Sequence, residues 1–214
     1  MSSKLIFLGP PGCGKGTQAQ KLGNELKISL IATGDLLRDA IKDKNSEIGK
    51  KVKSYVETGS LVPDDIVIKL IKHKIDMLHC FILDGFPRTI EQANQLELIT
   101  KIDKVVYFIC SSEVIVARLS NRRICPKCAN VYNLITNPPT NNGVCNNCKS
   151  TLEVRKDDTE LVIRERIQVY ERQTLPLIKF YDQRLITIDA SINDIDLVYY
   201  NLKKSLTCLP IDSK

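Results

Sequence analysis

The chain has 214 residues, of which 43% are hydrophobic and 26% charged, and its formal net charge is +6. This length is enough for one well-buried core with insertions, and the composition excludes a fibrous, repetitive or disordered protein. The N-terminal apolar run is too short for a signal peptide, and no other run approaches membrane-spanning length. We therefore expect a cytoplasmic chain that folds throughout and has no membrane partner. We also expect a monomer, although neither composition nor charge bears on the oligomeric state.

The positive charge by itself is compatible with nucleic acid, a membrane surface or an anionic small molecule. The arginines, however, are spread over separate segments rather than concentrated in one basic tail, and such residues can converge on a compact polyanion. The arginines concerned are Arg88, Arg118, Arg122, Arg123, Arg155, Arg164 and Arg166.

Five short apolar runs bounded by polar residues, Gly or Pro predict buried strands at residues 5–8, 28–31, 81–83, 105–109 and 185–188. Helical patterns lie between them, the clearest following the start signal Pro63-Asp64-Asp65. This alternation predicts an α/β fold with a parallel sheet covered by helices on both faces. Ligands then bind at the carboxyl ends of the strands.

A glycine-rich loop, residues 9–17, directly follows the first strand and precedes an amphipathic run containing Ala19, Leu22 and Leu26. Such a P-loop turns backbone N–H groups toward phosphate oxygens, its lysine reaches the transferring phosphates, and its threonine can reach magnesium. The alternative, a turn that only joins strand to helix, is disfavoured because residue types and context agree. The predicted phosphate-binding residues are Gly12, Cys13, Gly14, Lys15, Gly16 and Thr17.

Two segments depart from the simple alternation. Residues 33–61 are mostly polar, helix-forming sequence, whereas residues 121–158 contain cysteines, prolines and Asn141-Asn142-Gly143. The second segment is too long for an ordinary loop and needs stabilisation of its own. We expect both to be excursions from the core.

Four of the eight cysteines form two Cys-x-x-Cys pairs sixteen residues apart, the spacing of a four-thiolate zinc ribbon: Cys125, Cys128, Cys145 and Cys148. Four thiolates close the coordination sphere, so the Zn²⁺ is expected to be structural. Two alternatives compete. Paired disulfides are disfavoured by a reducing cytosol, and a ribbon for nucleic acid is disfavoured by the few basic and aromatic residues. The other cysteines, Cys13, Cys80, Cys110 and Cys208, are scattered singly.

The chain resembles the adenylate kinase family over nearly its whole length. The resemblance is carried by the Gly-Lys-Gly-Thr form of the P-loop, typical of nucleoside monophosphate kinases, and by four later motifs. These are Thr33-Gly34-Asp35-Leu36-Leu37-Arg38, Asp84-Gly85-Phe86-Pro87-Arg88, Asn121-Arg122-Arg123 and Arg155-Lys156-Asp157-Asp158. The resemblance implies reversible phosphoryl transfer from Mg-ATP to AMP, giving two ADP, without a nucleic-acid partner.

The resemblance also implies a P-loop NTPase architecture with a five-stranded parallel sheet. The core would comprise residues 1–31, 62–120 and 159–214, with a helical insertion for the nucleoside monophosphate at 32–61 and a zinc-bearing lid at 121–158. Both flaps are expected to close over the substrates and exclude water. Residues 160–181 are expected to form a helix, and Arg123 and Arg164 to form surface salt bridges.

By the same resemblance, the AMP site comprises Thr33, Arg38, Gly59, Ser60, Leu61, Val62, Gly85, Phe86, Pro87, Arg88, Gln92, Arg155 and Arg166. Related kinases for UMP or CMP usually have a small apolar residue at position 33 and Asn at position 92, so both positions favour AMP. The alternatives without a ligand-binding role are a helix N-cap for Thr33 and a turn-stabilising role for Asp84.

The ATP side is implied to comprise the P-loop with Arg118, Arg122, Val131, Tyr132 and Ile192. The implied catalytic set is Lys15, Asp84, Arg88, Arg122, Arg155 and Arg166, with Asp84 near the magnesium. Ala190 stands where relatives commonly have a glycine that contacts the ATP base, which weakens the choice between ATP and GTP. No general base is needed because the AMP phosphate is already anionic.

Overall fold

The structure, a computed structural model, describes residues 3–43 and 45–207. Lys44 and Cys208 lie outside the described residues, as do the two ends of the predicted core. Within the described ranges, no helix combines the length and apolar character needed to cross a bilayer.

The central sheet has five parallel strands, as the sequence predicts. They are β1 (Lys4–Leu8), β2 (Ser29–Ala32), β3 (Phe81–Asp84), β4 (Lys104–Ile109) and β7 (Leu185–Asp189), in the order β2-β3-β1-β4-β7. Ile6 aligns with both Leu83 and Val105 in the register. This order places the carboxyl ends of β1, β2 and β3 side by side, so their following loops meet at one edge.

Helices cover both faces of the sheet because its strands are apolar on both sides. In β1, Ile6 and Leu8 join one core cluster, while Leu5 and Phe7 join the cluster on the opposite face. The helices are α1 (Lys15–Leu26), α2 (Thr33–Lys42), α3 (Glu47–Thr58), α4 (Asp64–Ile75), α5 (Ile90–Ile99), α6 (Ser112–Ser120), α7 (Glu160–Val169), α8 (Leu177–Phe180) and α9 (Ile195–Thr207). Burial on both faces is the packing that parallel sheets require.

The two excursions have different structures. Helices α2 and α3 form the first and pack against each other. The second contains β5 (Arg122–Ile124) paired antiparallel with β6 (Val131–Asn133), followed by isolated bridges that include Ile124 to Glu153. This segment has a small buried cluster of its own, made of Cys125, Tyr132, Cys145 and Leu152.

The continuous helix expected over residues 160–181 is interrupted, so that expectation was wrong in detail. Helix α7 ends at Val169, and a π-helical turn, Tyr170–Thr174, precedes Pro176 and α8. Proline lacks a backbone N–H and clashes with the preceding turn, so a regular helix cannot continue through this position. In the wider turn, the Leu175 N–H donates to the Tyr170 carbonyl at 2.9 Å.

Candidate active site

The P-loop joins β1 to α1, and Lys15 is the first residue of the helix. Gly9, Gly12 and Gly14 all have positive φ, which bends the loop around the lysine side chain. The Lys15 ammonium donates to the carbonyls of Gly9 and Pro10, both at 2.8 Å. Cys13, within the loop, is buried. The lysine charge and the helix N-terminus therefore lie at the same edge of the sheet.

The glycine that separates Lys15 from Thr17 is explained by a close approach. A Cβ atom at Gly16 would lie 3.2 Å from Asp84 Oδ2, so a larger residue would push against this carboxylate. Asp84 ends β3, the strand beside β1. Burial raises the pKa of Asp84 above its ordinary value, while Lys15 and Arg88 oppose the shift. The carboxylate and the Thr17 hydroxyl belong to the oxygen donors that Mg²⁺ prefers.

Arginines from distant parts of the chain converge beside the P-loop. Arg122 makes a two-pronged ion pair with Asp158, with Nε 2.7 Å from Oδ2, and the Asp158 side chain is fully buried. Arg166 donates to Asp157 Oδ2 at 3.1 Å and to Asp158 Oδ1 at 3.3 Å. Arg155 reaches 4.0 Å from Asp35, which also accepts from Arg38 at 2.6 Å. Carboxylates thus hold the arginines in place.

The carboxylates do not neutralise the cluster. Burial, followed by repulsion from Arg166, lowers the pKa of Arg88 to about 10. Burial, followed by repulsion from Arg122, lowers the pKa of Arg155 to about 10. Burial acts to raise the pKa of Asp157, but Arg166 and the surrounding arginines hold it below its ordinary value. The arrangement favours a bound polyanion, which would relieve this mutual repulsion.

Most of the predicted AMP residues line one cavity between α2, α3 and the loop after β3. Its walls include Thr33, Arg38, Gly59, Ser60, Leu61, Val62, Gly85, Arg88, Gln92 and Arg166. Phe86 lies instead in the hydrophobic core, Pro87 is buried, and Arg155 is not among the lining residues. The structure therefore brings together residues from both sides of the predicted insertion boundary.

Thr33 does not cap a helix. It is the first residue of α2, whose N-cap position is Ala32. Its hydroxyl oxygen is buried and has no hydrogen-bond partner within the described part of the chain. A buried hydroxyl without a partner is costly, so this atom is available for a ligand in the adjoining cavity.

Arg118 connects the P-loop to the C-terminal turn on the predicted ATP side. Its guanidinium donates to the carbonyls of Ala190 at 2.7 Å, Ile192 at 2.8 Å and Cys13 at 3.3 Å. Val131 is exposed on β6, whereas Tyr132 points into the interior of the cysteine-bearing segment. Arg118 and Ile192 are therefore adjacent, and the Tyr132 side chain faces the cysteines.

The four cysteines form a group whose sulfur atoms all lie within 4.8 Å of one another. Cys125 Sγ is 3.2 Å from Cys148 Sγ, and Cys128 Sγ is 3.5 Å from Cys145 Sγ. Disulfide sulfurs would be about 2.05 Å apart. Tetrahedral zinc with bonds of about 2.3 Å separates its sulfurs by roughly 3.8 Å. The residues present therefore fit a zinc ion.

The two Cys-x-x-Cys pairs have the same backbone geometry. In each, the residue after the second cysteine donates its N–H to the carbonyl of the first: Ala129 to Cys125 and Lys149 to Cys145, both at 3.0 Å. Ala129 and Lys149 have φ of 59° and 60°, a left-handed conformation. A hydrogen bond with the Tyr132 hydroxyl lowers the pKa of the Cys145 thiol. Against a backbone hydrogen bond at Asn130, burial and the neighbouring thiols raise the pKa of Cys128.

The expected surface roles of two arginines have different outcomes. Arg164 pairs with Glu160 at 2.7 Å on the exposed face of α7, as expected. Arg123 instead donates to the carbonyls of Ser120 and Arg122, and no carboxylate pairs with it within residues 3–43 and 45–207.

Asp157 and Asp158 were predicted only as part of a motif, without a role. The available signal was the pair of adjacent aspartates that begins two positions after Arg155.

Three features define a transferase of the nucleoside monophosphate kinase class. They are the parallel sheet with its P-loop, the lysine of that loop, and the arginine-lined cleft between the two excursions. Comparison with known proteins specifies the family. The sequence model described as adenylate kinase matches residues 7–186. The chain belongs to the adenylate kinase family.

Several relatives are similar to this chain over almost their full length. The adenylate kinase of Petrotoga mobilis is 46% identical over 211 residues, covering 94% of this chain and 98% of the relative. That of Thermosipho africanus is 45% identical over 204 residues, covering 91% and 94%. That of Archaeoglobus fulgidus is 44% identical over 211 residues, covering 94% and 97%.

Proposed function

We propose that the chain catalyses reversible transfer of the γ-phosphoryl group of Mg-ATP to AMP in the cleft between α2–α3 and residues 121–158. An oxygen of the AMP phosphate attacks the γ-phosphorus, the bond to the β,γ-bridging oxygen breaks, and two ADP molecules result. No proton has to be removed from the nucleophile. The observation that carries this proposal is the convergence of Arg38, Arg88, Arg122, Arg155 and Arg166 beside Lys15.

On the donor side, we assign ATP to the P-loop residues Gly12, Cys13, Gly14, Lys15, Gly16 and Thr17 and to Arg118, Arg122, Val131, Tyr132 and Ile192. Backbone N–H groups and Lys15 would bind the phosphates, and Thr17 and Asp84 would hold the magnesium of Mg-ATP directly or through water. The contacts of Arg118 with the Ile192 carbonyl support an adenine site beside this turn. These contacts do not select between ATP and GTP as the phosphoryl donor.

On the acceptor side, we assign AMP to Thr33, Arg38, Gly59, Ser60, Leu61, Val62, Gly85, Phe86, Pro87, Arg88, Gln92, Arg155 and Arg166. The unpartnered Thr33 hydroxyl and the Gln92 amide support this assignment, since both are polar groups buried beside one cavity. Arg38 and Arg88 would grip the AMP phosphate as planar forks.

We assign the catalytic role to Lys15, Asp84, Arg88, Arg122, Arg155 and Arg166. In-line positioning and cations around the equatorial oxygens account for most catalysis of phosphoryl transfer.

The cavity beside Thr33 measures about 60 Å³. Ligand pockets are commonly about 300–1,000 Å³, so α2–α3 and residues 121–158 would have to open for nucleotides and then close.

We further propose that residues 32–61 and 121–158 move as the acceptor-binding insertion and the lid, and that residues 1–31, 62–120 and 159–214 form the core. A structural Zn²⁺ held by Cys125, Cys128, Cys145 and Cys148 would stabilise the lid. The sulfur separations support this site. The cysteine pattern, two Cys-x-x-Cys pairs with the other cysteines scattered singly, supports a reducing cytoplasm. There we expect the protein to act as a monomer on ATP, AMP and ADP, without a nucleic-acid partner.

The test is a coupled assay of ADP formation from Mg-ATP with AMP, UMP, CMP and GMP in parallel, on protein purified without chelator. We expect activity with AMP alone. Activity with another monophosphate would reassign the acceptor, and no activity with any of the four would refute the kinase function. Arg88→Lys should lower kcat at least tenfold, whereas the matched variant Arg164→Lys on the exposed face of α7 should not.

A further inference from the structure

The amide of Gln92 has two protein partners that occupy its opposite ends. Its oxygen Oε1 accepts the backbone N–H of Arg88 at 2.7 Å, and its nitrogen Nε2 donates to Asp64 Oδ1 at 2.7 Å. Gln92 is 2% exposed and lines the cavity beside Thr33. The amide keeps one N–H and one oxygen lone pair for a further partner.

These two contacts allow only one orientation of the amide. A backbone N–H can only donate, and an ionised carboxylate can only accept. If the amide rotated by half a turn, its NH₂ would face the Arg88 N–H and its oxygen would face Asp64. Both contacts would then be repulsive, so the oxygen must lie toward Arg88 and the nitrogen toward Asp64.

Asp64 is itself fixed in place. It is the first residue of α4, and its second oxygen, Oδ2, accepts from the Thr89 hydroxyl at 2.9 Å. Thr89 is the N-cap of α5, and its hydroxyl oxygen accepts the backbone N–H of Gln92 at 3.1 Å. The four residues Asp64, Arg88, Thr89 and Gln92 lie outside α2 and α3, so the network contains no residue of those two helices.

We propose that Asp64 is a positioning residue that fixes the donor–acceptor order of the Gln92 amide, so that the acceptor site selects adenine over hypoxanthine. This inference rests on the proposed use of AMP as acceptor. Adenine offers an acceptor at N1 beside a donor at the 6-amino group, whereas hypoxanthine offers a donor at N1 and an acceptor at O6. One amide orientation pairs with the first edge and the reversed orientation with the second.

The competing role for this network is capping of the α5 N-terminus, in which Thr89 and Gln92 satisfy free N–H groups. Capping affects stability but is indifferent to the base edge of the acceptor. The discriminating quantity is therefore the ratio of kcat/KM for AMP to kcat/KM for inosine monophosphate.

The experiment measures this ratio for the wild-type protein and for Asp64→Ala, Asp64→Asn, Gln92→Ala and the Asp64→Ala/Gln92→Ala double variant. Asp65→Asn is the matched control, because Asp65 is exposed in the same first turn of α4. We expect Asp64→Ala to lower the ratio at least tenfold, Asp64→Asn at least threefold and Asp65→Asn less than twofold. In the Gln92→Ala background, loss of Asp64 should change the ratio less than twofold.

A ratio within twofold of wild type in Asp64→Ala would overturn the proposal, as would an equal fall in the presence and absence of Gln92. If Asp64→Ala does not fold, as judged by circular dichroism, the Asp64→Asn ratio decides on the same terms. Failure of the proposed function is separate, because it would appear as absence of AMP phosphorylation in the wild-type protein.

Discussion

Asp158 and Arg122 form a two-pronged ion pair in which the carboxylate is fully buried and the guanidinium side chain is 15% exposed. The pair joins the two ends of the segment that carries the cysteines. Removal of one partner from a buried pair leaves an uncompensated charge, which typically costs 3–5 kcal/mol.

We expect Asp158→Asn to lower the free energy of unfolding by about 3 kcal/mol and to lower kcat at least tenfold, because Arg122 loses its anchor. Urea denaturation and the coupled assay would measure these changes. Glu160→Gln is the control, since Glu160 and Arg164 form an exposed i,i+4 pair worth about 0.5 kcal/mol or less. Equal stability of the two variants would contradict the prediction.

Asp84→Asn should stabilise the fold while lowering activity. Because the folded-state pKa of Asp84 is raised, the folded protein binds more protons than the unfolded chain in the range above the ordinary carboxyl pKa of 3.8. Stability therefore falls as pH rises through that range, and the ionised group disfavours folding at pH 7. Asparagine removes this penalty.

We expect a higher Tm for Asp84→Asn at pH 7 and a smaller difference from wild type as pH falls toward 4. Activity should fall about 10–100-fold, as for loss of other groups that orient a metal and its ligands. Differential scanning calorimetry across pH and the coupled assay test both parts. A Tm advantage that grows on acidification would show the sign to be wrong.

Tyr132→Phe should weaken zinc retention. The Tyr132 hydroxyl lies 3.4 Å from Cys145 Sγ and accepts the Asn146 N–H at 2.9 Å. Loss of such a supporting contact typically lowers metal affinity 10–100-fold. Competition with a chromophoric chelator measures the affinity, and Tyr200→Phe, at an exposed tyrosine on α9, is the control. Equal zinc affinities in the two variants would argue against this contact.

Ala129→Gly should stabilise the cysteine-bearing segment, because Ala129 has a φ of 59° that glycine adopts without a Cβ clash. The expected gain is about 1 kcal/mol. Gly143→Ala is the matched opposite: Gly143 has a φ of 72° and open space around its added Cβ, so only backbone strain would destabilise it. Amide hydrogen exchange in residues 121–158 should slow in the first variant and accelerate in the second.

Local patterns determined the architecture and much of the chemistry of this protein. Short apolar runs bounded by polar residues, Gly or Pro predicted all five parallel strands, because a strand buried on both faces needs an almost continuous apolar sequence. The P-loop and the paired cysteines were equally predictable, since each places its chemistry within a few consecutive residues. Five ordered motifs were enough to indicate the family.

The tertiary structure alone decided which side chains meet and how each is oriented. Residues 157–158 hold Arg122 and Arg166 by ion pairs that depend on how the two ends of one segment come together. Asp64 and Gln92 are 28 positions apart, and their hydrogen bond depends on the packing of α4 against α5. The π-helical turn before Pro176 also makes a contact between distant parts of the chain, because the Thr174 hydroxyl donates to the Arg88 carbonyl at 2.9 Å. Sequence periodicity reports which face of an element is buried, whereas pairing between distant polar groups is set only when the elements pack.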